Sequence, residues 1–187
     1  RETVIKKGGF ANHLLFLMDG YVKIESDEGA TNYIFDIASG KRFIGAPVIL
    51  SSDKNIFSVV TLTDAEIVFI PVEIFRDLLS SNCQFSMEML NHCNHTFVMP
   101  LLEKLKFGSR SSIKSRLARL LVELVTVVHK SQSFTLLVNR SEMAEMIGFS
   151  RENVIRMLSE FASDGIIKLS GKSFTVLDMG RLEKLIE

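Results

Sequence analysis

The chain has no apolar run near the roughly 18 residues that a membrane-spanning helix requires; "HLLFLM" is far too short. It has only two cysteines, Cys83 and Cys93, ten positions apart in a stretch of helical pattern. Such a pair makes no disulfide framework, and a reducing, cytoplasmic setting is the expectation. Net charge is also missing, because 22 Lys and Arg balance 22 Asp and Glu. No nucleophile stands with a base, no carboxylates pair in a plausible pocket, and no glycine-rich loop is built to cradle phosphate, so an enzyme is not expected. Internal repeats and low-complexity segments are absent as well. The chain begins at Arg1 rather than Met, which suggests that an N-terminal segment is missing or disordered.

What is present is a chain of 187 residues, 47% of them apolar, enough for a real core in one large domain or two small ones. The zero net charge hides a division. Residues 1–103 hold 8 basic against 13 acidic side chains, and residues 104–187 hold 14 against 9. A basic C-terminal part suits a polyanionic partner.

The first seventy residues alternate β-type runs ("HLLFLM", "YVKIE", "NYIFDIA", "RFIGA", "IFSVVTLT", "EIVFI") with breaks at Asp19-Gly20, Asp27-Glu28-Gly29, Ser39-Gly40, Ser51-Ser52-Asp53 and Asp64. That spacing predicts a small antiparallel roll or barrel. "IPVEIFRDLLSS" then turns helical, with Val72, Phe75, Leu78 and Leu79 on one side. A long helical pattern follows from about Phe85 to Phe107, in which Leu90, Phe97, Leu101 and Leu105 recur at steps of seven or four. A stripe of that length between two domains is expected to pair with its copy in a homodimer. Pro100 predicts a kink or a division into two helices. Gly108-Ser109 breaks the pattern, and Ile113, Leu117, Leu120, Leu121, Leu124 and Val128 form the apolar face of the next helix.

The segment "NRSEMAEMIGFSRENVIRMLSEF" reads as two short helices around Gly148-Phe149-Ser150. Asn139 and Glu142 form a capping-box pattern, Gly148 ends the first helix and Ser150 caps the second. Met143 and Ile147, then Val154, Leu158 and Phe161, point to the core. That leaves Arg151, Glu152, Asn153, Arg156 and Ser159 outward. This is the pattern of a helix-turn-helix, whose second helix enters the major groove. Arg can bond guanine there and Glu can accept from cytosine, while Ser150 and its neighbouring amides hold phosphate. Beyond Asp164-Gly165, "IIKL-SGK-SFTVL" reads as a wing, with Lys168 and Lys172 placed for the phosphate backbone.

At this point the chain resembles the cyclic AMP receptor protein/FNR (Crp/Fnr) superfamily, most sharply in "SEMAEMIGFSRENVIRML". The resemblance implies an α+β fold: an N-terminal antiparallel β-roll of the cyclic-nucleotide-binding jelly-roll type at 1–84, a long dimerisation helix at 85–108 and a winged helix-turn-helix at 109–187. It implies double-stranded DNA as partner, with Arg151, Glu152 and Arg156 reading bases of a palindrome with TGTGA-like half-sites. Ser150 would touch phosphate, and Asn139, Asn153, Lys168 and Lys172 complete the expected DNA-binding set. RNA polymerase is a further implied partner.

Nucleotide-binding members carry a glycine-glutamate pair and, further on, an arginine-serine pair around the cyclic phosphate. Here Gly45 is followed by Ala46, and Phe57 precedes Ser58. Without the charged partners a buried phosphate binds several kcal/mol more weakly, roughly, so cyclic AMP is not expected as ligand. Phe43, Ile44, Gly45, Ala46, Pro47, Phe57, Ser58 and Val59 either line an apolar effector pocket or simply fill a core. His92, Cys93 and His95, with Cys83 upstream, invite a metal, haem or redox reading. Positions 92 and 95 share a helical side while 93 points away, and no metal site or other cofactor is expected. The leading expectation is a dimeric transcription regulator. The competing one is a ligand-binding module that uses its winged helix as a protein-docking surface.

Overall fold

The Gly- and Asp-bearing breaks of the first seventy residues lie at or beside strand ends in the computed structural model, which describes residues 1–29, 31–107 and 111–186. Two compact units result, Arg1–Ser26 with Ala38–Arg110 and Asp27–Ile37 with Ser111–Glu187.

The strands are β1 (Thr3–Ile5), β2 (His13–Asp19), β3 (Tyr21–Glu28), β4 (Thr31–Ser39), β5 (Arg42–Ile44), β6 (Ser58–Thr61) and β7 (Glu66–Pro71). They form one sheet in the order β1-β6-β3-β4 and another in the order β5-β2-β7. Strand β2 pairs antiparallel with both neighbours, Leu15 lying opposite Ile44 on one side and Phe69 on the other. Its apolar run is nearly continuous because both faces are covered. Leu15 and Leu17 join Val22, Ile24, Ile44 and Val59 in one cluster. Leu14 points the other way, into a cluster with Ala46, Ile49, Val72, Phe75 and Met89.

Three expectations need correction. "RFIGA" leaves the sheet at Ile44, and Pro47, with its fixed φ, opens a single helical turn, α1 (Ala46–Ile49). "IFSVVTLT" pairs only over Ser58–Thr61. In α2 (Val72–Ser81), Val72 and Phe75 are buried but Leu78 is exposed.

The long helical stretch is α3 (Cys83–Cys93), a π-helical turn at Asn94–Val98 and α4 (Met99–Phe107). Pro100 sits just past the π turn. Proline has no N–H to give and would collide with a carbonyl one turn back, so a widened turn before it lets the chain stay helical. A π-helical turn therefore replaces the kink or break expected at Pro100. The break expected at Gly108-Ser109 lies outside the described residues.

In the second unit α5 (Ile113–Glu123) runs into a π turn at Leu124–Val128, followed by β8 (Ser133–Thr135), α6 (Arg140–Ile147), α7 (Arg151–Ser163), β9 (Ile167–Ser170), β10 (Ser173–Val176) and α8 (Met179–Lys184). The sheet order β8-β10-β9 makes the wing the outer hairpin of three antiparallel strands. Leu117, Leu121, Met143, Val154, Leu158, Phe161, Phe174 and Leu182 form the buried side of these elements, each at most 2% exposed. Truncating Phe161 to Ala here would cost about 3–5 kcal/mol.

Candidate nucleic-acid interface

The first helix of the pair is fixed at both ends. Asn139 Oδ1 accepts from the amides of Ser141 and Glu142 at 2.9 and 3.0 Å, and Glu142 Oε2 accepts from the Asn139 amide at 2.8 Å. This reciprocal cap is worth about 1 kcal/mol and defines where α6 starts. At the other end Gly148 adopts φ 72°, a left-handed conformation that other residues take only with strain. The amides of Gly148 and Phe149 both donate to the Ala144 carbonyl, at 2.8 and 3.1 Å. Ser150 then caps α7, its Oγ accepting from the Asn153 amide at 3.3 Å.

Helix α5 braces this turn. Arg116 Nη1 donates to the Ile147 carbonyl at 3.1 Å, and the guanidinium lies 5.3 Å from the centre of the Phe149 ring. Lys114 Nζ pairs with Glu160 Oε1 at 2.7 Å, near the far end of α7. Two basic side chains of the charge-rich C-terminal part are thus engaged in holding α6 and α7 at a fixed angle. Their spacing alone did not reveal that role.

With its apolar side in the core, α7 presents Arg151, Glu152, Ile155, Arg156 and Ser159 as exposed residues. Asn153, expected outward with them, is half-buried, and its Oδ1 accepts from Arg156 Nη2 at 3.2 Å. The contact steadies the longer side chain. The carboxyl of Glu152 is held below its ordinary pKa by the bond from its own backbone amide, then by the Ser150 hydroxyl, with the nearby Arg151 charge adding to both. Free amides at a helix start favour a negative charge. Glu152 is therefore a committed hydrogen-bond acceptor between two cationic donors. The wing residues Lys168 and Lys172 are exposed. Asn139 is exposed too, but its side-chain oxygen is engaged in the α6 cap.

In the roll, the residues considered for an effector pocket divide between two packed clusters. Phe43 and Ala46 pack with Ile49, Val72 and Phe75, and Phe43 meets the Phe16 ring at 4.6 Å. Ile44, Phe57 and the fully buried Val59 belong to the other cluster. Pro47 faces out, and Ser58 Oγ accepts from the Lys7 amide at 3.0 Å. Gly45, at φ 83°, lies under the Phe57 ring so closely that an added Cβ would come within 3.0 Å of Phe57 Cζ. A cyclic phosphate needs a cation and hydrogen-bond donors, and an aromatic ring over Gly45 supplies neither. The residues present do not fit that group.

His92 meets Phe43 edge to face at 5.6 Å. Its pKa is pulled down by burial and by the Arg42 charge, while a bond to the Phe43 backbone opposes the shift. Burial raises the Cys93 thiol pKa, whereas Cys83 and His95 are exposed. Among the described residues no three His, Cys, Asp or Glu side chains come together as metal ligands, and no helix is long and apolar enough to cross a membrane.

Comparison with known proteins agrees with this geometry. The cyclic nucleotide-binding domain model matches residues 1–82 and the Crp-like helix-turn-helix domain model matches residues 115–185. The chain is 24% identical over 196 residues to the CRP-like cAMP-activated global transcriptional regulator of Mycobacterium tuberculosis, covering 98% of this chain and 84% of that protein. It is 26% identical over 187 residues to the probable transcriptional regulator Flp of Lacticaseibacillus casei, with 98% and 83% coverage. Among solved structures, FixK2 from Bradyrhizobium japonicum superposes with a TM-score of 0.88 at 15% identity, over 100% of this chain and 93% of that one. The regulator CLP of Xanthomonas campestris does so with a TM-score of 0.75 at 23% identity, over 94% and 89%. A β-roll, a long helix and a winged helix in this order, matched by both domain models, place the chain in the Crp/Fnr superfamily of transcription regulators.

Proposed function

We propose that the chain is a homodimeric, sequence-specific DNA-binding regulator that reads a palindrome through α7. The observation that carries this is the exposed set Arg151, Glu152 and Arg156 on a helix whose inner face, cap and turn are all fixed. Two guanidinium groups suit guanine O6 and N7, and the carboxylate suits a cytosine amino group. The expected half-site is TGTGA-like. Ser150 and the first amides of α7 sit where a phosphate would approach, and Lys168 and Lys172 extend the contact along the backbone.

Dimerisation through α3 and α4 is supported by an uncovered apolar stripe. Met87, Leu90, Val98, Leu101 and Leu105 are all exposed, Leu105 to 66%, and recur at three- or four-residue steps. A second copy of the same helix covers such a stripe symmetrically. The dimer sets two α7 helices against successive major grooves about 34 Å apart. A signal acting at the roll would shift the population of dimers with that spacing. RNA polymerase is the natural protein partner of such a regulator, in the cytoplasm with the DNA.

Cyclic AMP is not the signal in this reading, although the Mycobacterium tuberculosis relative is named as cAMP-activated. Ala46 and Phe57 stand where the phosphate partners would be, and Phe57 covers Gly45. The test of the function is the salt dependence of binding to a duplex. Contact with several phosphates makes log K fall linearly and steeply with log salt. A flat salt response would reject DNA reading and favour a protein-docking role for the winged helix.

A further inference from the structure

Helix α7 turns about 100° per residue, so its buried arc is taken by Val154, Met157, Leu158 and Phe161. On the opposite arc Ile155 follows Arg151 by four residues and Glu152 by three, and it immediately precedes Arg156. In projection it falls between Arg151 and Glu152, about 40° from the former. It is 42% exposed, while the other large apolar side chains of α7 are at most 6% exposed. A lone exposed isoleucine elsewhere on a protein surface would need no explanation. This one stands among the three side chains that face a groove.

Its neighbours do not compete for the position. Arg156 is held by Asn153, and the Ser159 hydroxyl one turn on bonds back to the Ile155 carbonyl at 3.0 Å. Ile155 carries no donor or acceptor, so it cannot read a hydrogen-bonding edge. The major-groove edge also carries one apolar group, the C5-methyl of thymine. Branching at Cβ restricts the side chain to essentially one χ1 rotamer on a helix, which sets its methyl groups in place before DNA arrives.

We infer that Ile155 is a specificity-determining residue that selects a thymine in each half-site by packing against its C5-methyl group. The inference rests on the proposal that α7 reads bases and extends its alphabet: two guanidinium groups for guanine, a carboxylate for cytosine and a branched alkyl group for thymine. The contact contributes only where the methyl is present, so it separates thymine from uracil as well as from the other three bases.

The experiment uses the full chain and a duplex selected by it, in which each thymine of the half-site is replaced in turn by deoxyuridine. This removes the methyl and leaves pairing and O4 unchanged. At one position the wild type is expected to lose about fourfold in affinity per half-site, the value of one methyl group taken out of water. Ile155→Ser should bind the thymine and uracil duplexes equally, and Ile155→Val should keep most of the difference. The inference is overturned if no uracil position weakens the wild type, or if Ile155→Ser shows the same loss. A chain that selects no sequence at all overturns base reading by α7 itself, a different and earlier failure.

Discussion

Replacing Arg116 with Met keeps most of the aliphatic stem and removes the guanidinium that braces the turn between α6 and α7. Two contacts are lost, the bond to the Ile147 carbonyl at 3.1 Å and the approach to the Phe149 ring at 5.3 Å. A hydrogen bond from a charged donor is worth about 1.5–3 kcal/mol, and a partly exposed cation–π contact about 0.5–1 kcal/mol. Arg116 is only half-buried, so water replaces part of each and the lower ends apply. A net loss of about 2 kcal/mol follows, equivalent to about a thirtyfold increase in local opening. Amide hydrogen exchange reads it directly, because the Gly148 and Phe149 N–H groups both close on the Ala144 carbonyl. Exchange at these two amides should accelerate about thirtyfold in Arg116→Met, with β8, β9 and β10 little changed. DNA affinity should fall while the preferred sequence stays the same, since Arg116 lies off the reading face. Unchanged exchange at Gly148 and Phe149 would refute the brace.

The remaining predictions concern the reading face, the roll and the thiols. Arg156→Ala should cost about 1–3 kcal/mol of specific binding and relax the preference at one base pair, seen by competition with single-base variants. Glu152 has a lowered pKa, so its carboxylate persists below the ordinary carboxylate range and is lost only as pH falls through the lowered value. Ser150→Ala, by removing one cause of that shift, should raise the pH at which discrimination at the Glu152 base pair disappears. Isothermal calorimetry with cyclic AMP should show no micromolar binding, and a clear micromolar titration would contradict the reading of Ala46 and Phe57. His92 has a folded pKa below its ordinary 6.5, so the stability it contributes is complete above that pH and declines as pH falls through the lowered value. Its imidazole NMR titration should therefore have a midpoint below 6.5, and His92→Gln should flatten the acid limb of stability. Cys83 is exposed and Cys93 is half-buried with a raised pKa, so a thiol reagent should label Cys83 first in the native protein.

The helix-turn-helix was legible because its determinants are local. The Asn139–Glu142 cap, Gly148 and the Ser150 cap each need only a few consecutive residues to specify the backbone, and each appears as read. The roll's strands were visible for the same reason, through glycine and aspartate at reversals. What escaped depends on residues far apart. Strand β1 is three residues long and exists because β6 pairs with it. Arg116 looked like a surface charge until the fold brought the carbonyl of Ile147, 31 residues later, within reach. Likewise Phe57 gave no sign by sequence alone that its ring covers Gly45. Ile155 was overlooked for another reason: apolar residues on an amphipathic helix are assigned inward by default, and only its measured exposure separates it from Val154 and Leu158.

Selection of duplexes from a random DNA pool by the purified chain tests the central claim most directly. Enrichment of a two-fold symmetric site is predicted, with half-sites one helical turn apart centre to centre, whose guanine positions lose their preference in Arg151→Ala and Arg156→Ala. A pool that stays unenriched, or a site unaltered by both substitutions, would contradict it.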